Sequence, residues 1–139
     1  MGRKTAQEGY RGYMDVTDHQ PMHSAGCMRV SKLLSRIGDK WTVLVIMLLR
    51  GHSRRFSDLK RGVDGISQRM LTLTLRNLER DGLVTRTVTP SIPPRVDYEL
   101  TELGHSLAVP IQALGAWAFV HMDRIDAAQA TYDEKENAA

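Results

Sequence analysis

Residues 67–89 read SQRMLTLTLRNLERDGLVTRTVT, and this stretch decides the fold. Ser67 is a residue type that closes a helix N-terminus. From it, Leu71, Leu75 and Leu78 fall on one side of a helix at about 100° per residue, a buried stripe. Gly82 then stops the helix. Leu83 to Thr89 is rich in β-branched side chains and reads as a strand.

Working outward, Val96 to Leu100 reads as a second strand, and Pro90-Ser91-Ile92-Pro93-Pro94-Arg95 between them makes a stiff hairpin loop. Upstream, Ser57-Asp58 starts a short helix over 57–61 that Gly62 ends. Before it, Asp39 caps a helix with Trp41, Leu44, Val45, Leu48 and Leu49 inward and a stop at Gly51. Val30, Leu33, Leu34 and Ile37 mark an earlier amphipathic helix, ended by Gly38. Downstream, Thr101 caps a long helix with Leu103, Leu107, Ile111, Leu114, Trp117/Ala118 and Ile125 on one side and a bend at Pro110. The expected organisation is a flexible arm over 1–26, a folded domain over 27–126 and a frayed acidic tail over 127–139. The fold class is mainly α with a small β-hairpin (α+β).

The chain has 139 residues and a mass of 15.6 kDa, and one domain of that size buries about 68% of its unfolded surface. Apolar residues at 42% and charged residues at 25% exclude disordered and fibrous classes. The longest uninterrupted apolar run, Val43 to Leu49, is short against the roughly 20 residues of a membrane helix, so no membrane partner is expected. The first eight residues lack the apolar region of a secretory signal. With one cysteine, Cys27, no internal disulfide can form, and a reducing cytoplasm is the natural setting.

The net charge is only +3, but it is unevenly spread. Residues 50–95 are net +6 with nine arginines, whereas 96–122 and 123–139 are each net −3. Arginine pairs bidentately with phosphates and guanine edges, so a basic centre with an acidic tail favours a polyanion partner.

After the first helix, three helices, a strand, a loop, a strand and a helix, with the basic fourth helix just before the first strand, form the order of a winged helix. In a helix-turn-helix the second helix enters the major groove. The outward face over Ser67 to Arg80 carries Gln68 for adenine, Arg69, Arg76 and Arg80 for guanine or phosphate, and Thr72 for a phosphate or a base. Leu73 on that face is either a surface apolar residue or a contact for a thymine methyl group. Arg95 in the hairpin loop would reach the adjacent minor groove or backbone, unless the loop only connects strands.

The runs Cys27-Met28-Arg29, Ile37-Gly38-Asp39-Lys40-Trp41-Thr42, Arg55-Phe56-Ser57-Asp58-Leu59 and Gly65-Ile66-Ser67-Gln68-Arg69-Met70-Leu71-Thr72 resemble the HxlR-type winged-helix transcriptional regulators, relatives of the MarR group. The resemblance continues through Leu78-Glu79-Arg80-Asp81-Gly82-Leu83-Val84, Pro93-Pro94-Arg95-Val96-Asp97-Tyr98 and Leu100-Thr101-Glu102-Leu103-Gly104, covering about residues 27–120. It implies a bacterial, cytoplasmic, homodimeric regulator on a pseudo-palindromic double-stranded operator. The first and last helices would form the dimer interface and the helix from Ser67 would read DNA. The candidate DNA-binding set is Ser57, Ser67, Gln68, Arg69, Thr72, Leu73, Arg76, Arg80 and Arg95. Gln68 stands where the family usually has Pro, and Leu73 where it more often has a polar residue.

The same resemblance puts a reactive cysteine of thiol-sensing members at Cys27. A helix start near Arg29 and Lys32 suits sensing of a small electrophile or oxidant, against the alternatives of a structural cysteine and a non-covalent ligand. His19, His23 and Cys27 have helical i, i+4, i+8 spacing, but Pro21 and Gly26 interrupt it, and neither a metal nor a cofactor is expected. No catalytic residues are expected either: an enzyme using Cys27 and His23 lacks any oxyanion or phosphate-binding loop. The rival class is a nonspecific architectural DNA binder.

Overall fold

The computed structural model describes residues 25–138. In chain order these form α1 (Ala25–Ile37), α2 (Lys40–Leu49), β1 (Arg54–Arg55), α3 (Phe56–Gly62), α4 (Gln68–Arg80), β2 (Val84–Thr89), β3 (Arg95–Leu100) and α5 (Glu102–Ala138). The expected arm over 1–26 lies outside the described residues except for Ala25 and Gly26, which are already helical. His19 and His23 lie outside them as well.

The caps act where the local chemistry places them. Asp39 accepts a hydrogen bond from the Trp41 N–H at 2.8 Å, Ser67 Oγ from the Met70 N–H at 3.0 Å, and Thr101 Oγ1 from the Gly104 N–H at 3.1 Å. Ser57 does not start α3. The cap position is Arg55, without a side-chain bond, and Ser57 sits inside the first turn. Gly51 does not take the left-handed conformation, and α2 closes on Arg50 instead.

The sheet has three strands, not two, in the order β1-β3-β2 and all antiparallel. β2 and β3 pair from Val84↔Leu100 to Thr89↔Arg95, and the two-residue β1 adds Arg54↔Tyr98. Against this sheet α2, α3, α4 and the base of α5 enclose one core, with Val45, Ile46, Leu49, Leu59, Leu71 and Leu75 at its centre. On α4, Leu71, Leu75 and Leu78 are buried as the spacing predicts, joined by Thr74. In α2 the buried set is Thr42, Val45, Ile46 and Leu49, while Leu44 turns outward at 44% exposure. A helix apolar on every side does not declare its inner face by periodicity.

A tight corner fixes the base of α5. Gly82 turns the chain at φ +75°, a conformation that side chains with a Cβ resist. Thr101 then donates from its N–H to Leu83 O at 3.0 Å and from its hydroxyl to Gly82 O at 2.6 Å. Gly104 lies so close to the Leu83 carbonyl that a Cβ there would collide with it. Arg36 of α1 ties in from the other side, its Nε and Nη2 donating to both Asp81 carboxylate oxygens at 3.1 and 2.9 Å.

Two apolar surfaces remain uncovered among the described residues. The amphipathic stripe of α1 leaves Val30, Leu33 and Leu34 exposed, and only Cys27 of α1 is buried. α5 runs unbroken through Pro110 to Ala138, correcting the fray expected from 127, because Ala, Gln, Glu and Lys are strong helix formers. Its buried residues are Gly104, Ala108 and Ile111, whereas Leu103, Val109, Leu114, Trp117, Phe119 and Val120 are exposed. By length and composition α5 is the one described helix long and apolar enough to cross a membrane.

Candidate nucleic-acid interface

α3, the turn over 63–67 and α4 form the helix-turn-helix. Val63 and Ile66 anchor the turn in the core, at 2% exposure each, so the angle of α4 is set by packing and not by a loose loop. With Leu71, Thr74, Leu75 and Leu78 inward, the helical period turns Gln68, Arg69, Leu73, Arg76 and Arg80 to solvent. Ser67 stands exposed at the head of that face.

The charges on this face are uncommitted. Arg36, Arg54, Arg61 and Arg95 donate to Asp81, Leu48 O, Asp58 and Asp97, whereas the side chains of Arg69, Arg76 and Arg80 make no hydrogen bond or ion pair among the described residues. Thr72 is half-buried, and its hydroxyl donates to Gln68 O at 2.8 Å, so only its lone pairs remain for a ligand. Leu73, half exposed, is the apolar member of the row.

The hairpin flanks α4. Its loop is braced by Ser91 Oγ donating to Pro93 O at 2.8 Å, and Ile92 at its tip is fully exposed. Arg95 is less available than the sequence implies: its Nε donates to the two Asp97 oxygens at 3.3 and 3.0 Å. Ser57 meets the hairpin across an open groove of about 730 Å³, which also includes Arg55, Ile92 and Arg95. The site residues thus fall into two groups, the α4 face and the Ser57–Arg95 groove. Arg55 lines this groove as well, and sequence reasoning does not single it out, because a two-residue strand carries no period to detect.

Cys27 belongs to neither group. It is the third residue of α1 and 7% exposed, while Arg29 and Lys32 beside it in sequence are exposed. Among the described residues no group of three or more His, Cys, Asp or Glu could hold a metal ion.

The HxlR-like helix-turn-helix family matches residues 36–126, which hold the whole interface. The chain belongs to this family. Its members are transcriptional regulators. An HTH-type transcriptional regulator of Methanothermobacter thermautotrophicus is 43% identical over 111 residues, covering 78% of this chain and 81% of that protein. The putative transcriptional regulator ytfH from Salmonella typhimurium superposes with a TM-score of 0.69 at 35% identity, over 73% of this chain and 90% of its own. The redox regulator HypR in its reduced form gives a TM-score of 0.67 at 36% identity, over 71% and 98%. The winged-helix architecture inferred from residues 67–100 is therefore that of the family.

Proposed function

We propose that the chain binds a pseudo-palindromic DNA operator as a cytoplasmic homodimer, with α4 in the major groove and the hairpin loop in the adjacent minor groove. The observation that carries this is the solvent-facing row of Gln68, Arg69, Leu73, Arg76 and Arg80 on a helix locked into the core, with its arginines uncommitted. Arg69 and Gln68 lie nearest the N-terminal end of α4, the end that contacts base edges in this docking geometry. Ser67 retains its hydroxyl proton and can donate to a phosphate, as can Ser57 beside the hairpin groove. The dimer brings together α1 and α5, whose exposed apolar residues are the surface a second copy would cover. Arg69→Ala should cost about 1–3 kcal/mol of operator affinity and relax preference at one base position. Equal affinity of wild type for operator and scrambled duplex would favour the architectural reading.

For the signal, Cys27 is the candidate, supported by the likeness to a protein described as a redox regulator and by its place on α1 in the expected interface. A small thiol adduct on a 7%-exposed side chain must displace its neighbours, and so shift α1 against the partner. Diamide treatment should change operator affinity in the wild type and leave Cys27→Ser unaffected. A second reading rests on the apolar cavity of about 340 Å³ between α1 and α5, lined by Leu33, Ile37, Leu83, Leu103, Leu107 and Pro110 among others. It would take a non-covalent apolar effector, the reading that survives if fully modified Cys27 leaves affinity unchanged.

A further inference from the structure

A second cleft lies between α4 and the hairpin strands. It has a volume of about 370 Å³ and is lined by Thr72, Leu75, Arg76 and Glu79 of α4 with Arg86 of β2 and Tyr98 of β3. Arg86 pairs directly opposite Tyr98, and cross-strand partners share a face of the sheet. That face is the core side: Tyr98 is 8% exposed and Val84, two residues before Arg86, is 2% exposed. An arginine therefore occupies a register position where a half-buried sheet calls for an apolar residue, and it emerges into the cleft facing α4.

The cleft collects donors. Neither the Arg76 nor the Arg86 side chain makes a hydrogen bond or ion pair among the described residues, and the Tyr98 hydroxyl makes none although its residue is almost buried. Two guanidinium groups and a phenol O–H are the set that binds a phosphate diester, the guanidiniums bidentately. Glu79 is the one opposing charge among the described residues that line the cleft.

We propose that Arg76, Arg86 and Tyr98 clamp a backbone phosphate of DNA. The reason is topological. If α4 lies in the major groove and the hairpin loop in the neighbouring minor groove, the sugar–phosphate strand that separates those grooves must cross the protein between them. This cleft occupies that crossing. The clamp rests on the DNA-binding reading above and adds Arg86 and Tyr98 to it as residues that fix position, without reading sequence. Glu79 works against the phosphate and limits how tightly any duplex is held.

The test uses the full chain, a duplex that the wild type selects from a random-sequence pool, and a scrambled duplex, each titrated across a range of salt. Arg86→Ala should weaken both duplexes by the same factor, roughly tenfold, and reduce the salt slope by about one unit. Tyr98→Phe should weaken both equally with the salt slope kept. Glu79→Gln, which cannot gain affinity by misfolding, should tighten both. An unchanged salt slope in Arg86→Ala, a loss confined to the selected duplex, or weaker binding by Glu79→Gln overturns the clamp. A wild type that binds neither duplex overturns instead the DNA-binding reading on which it stands.

Discussion

At Gly104 the first turn of α5 lies against the Leu83 carbonyl, and no side chain fits between them. Gly104→Ala should destabilise the fold by on the order of 3 kcal/mol, since backbone must move to admit one methyl group; chemical denaturation at constant m measures it. Ser67→Ala should cost about 1 kcal/mol by removing the acceptor for the Met70 N–H. The three caps at Asp39, Ser67 and Thr101 are legible in the sequence because a cap is a contact between near neighbours. Arg36–Asp81 is not, since its partners stand 45 residues apart. Arg95–Asp97 is an intermediate case: residues i and i+2 on a strand share a face, so the spacing carried the signal that Arg95 is partly neutralised.

Elements with a clear period can be placed in full from sequence, and those without one cannot. α4 has both an apolar stripe and a charged face, so its inner residues and its candidate DNA-contacting row follow from the same spacing. α2 is apolar throughout, and only packing decides that Ile46 is buried while Leu44 is not. That contrast is measurable. Ile46→Ala should cost about 2–5 kcal/mol of stability, and Leu44→Ala well under half as much, unless a second copy covers Leu44. β1 is defined solely by its pairing to β3, which no local pattern of two residues can announce. The core-side position of Arg86 depends likewise on the register of β2 with β3, which explains why composition counts it merely as another basic residue.

For the whole molecule, the sequence reveals an apolar stripe on the last helix but not where that helix stops being covered. The structure places this at Ile111, the last buried residue of α5. The expected remedy is dimerisation: sedimentation should give twice the 15.6 kDa chain mass, and Leu114→Glu should shift it toward the monomer, because an uncompensated carboxylate cannot be buried cheaply. Beyond Ile111, the described residues of a lone protomer hold α5 by little more than its own ladder of backbone hydrogen bonds. Amide protons from Gln112 to Ala138 should consequently trade with deuterated water quickly in dilute protein and slowly in concentrated protein, while those at the latched base around Gly104 keep one rate throughout. The far half of a single helix thus serves as a built-in gauge of how much of the protein is assembled.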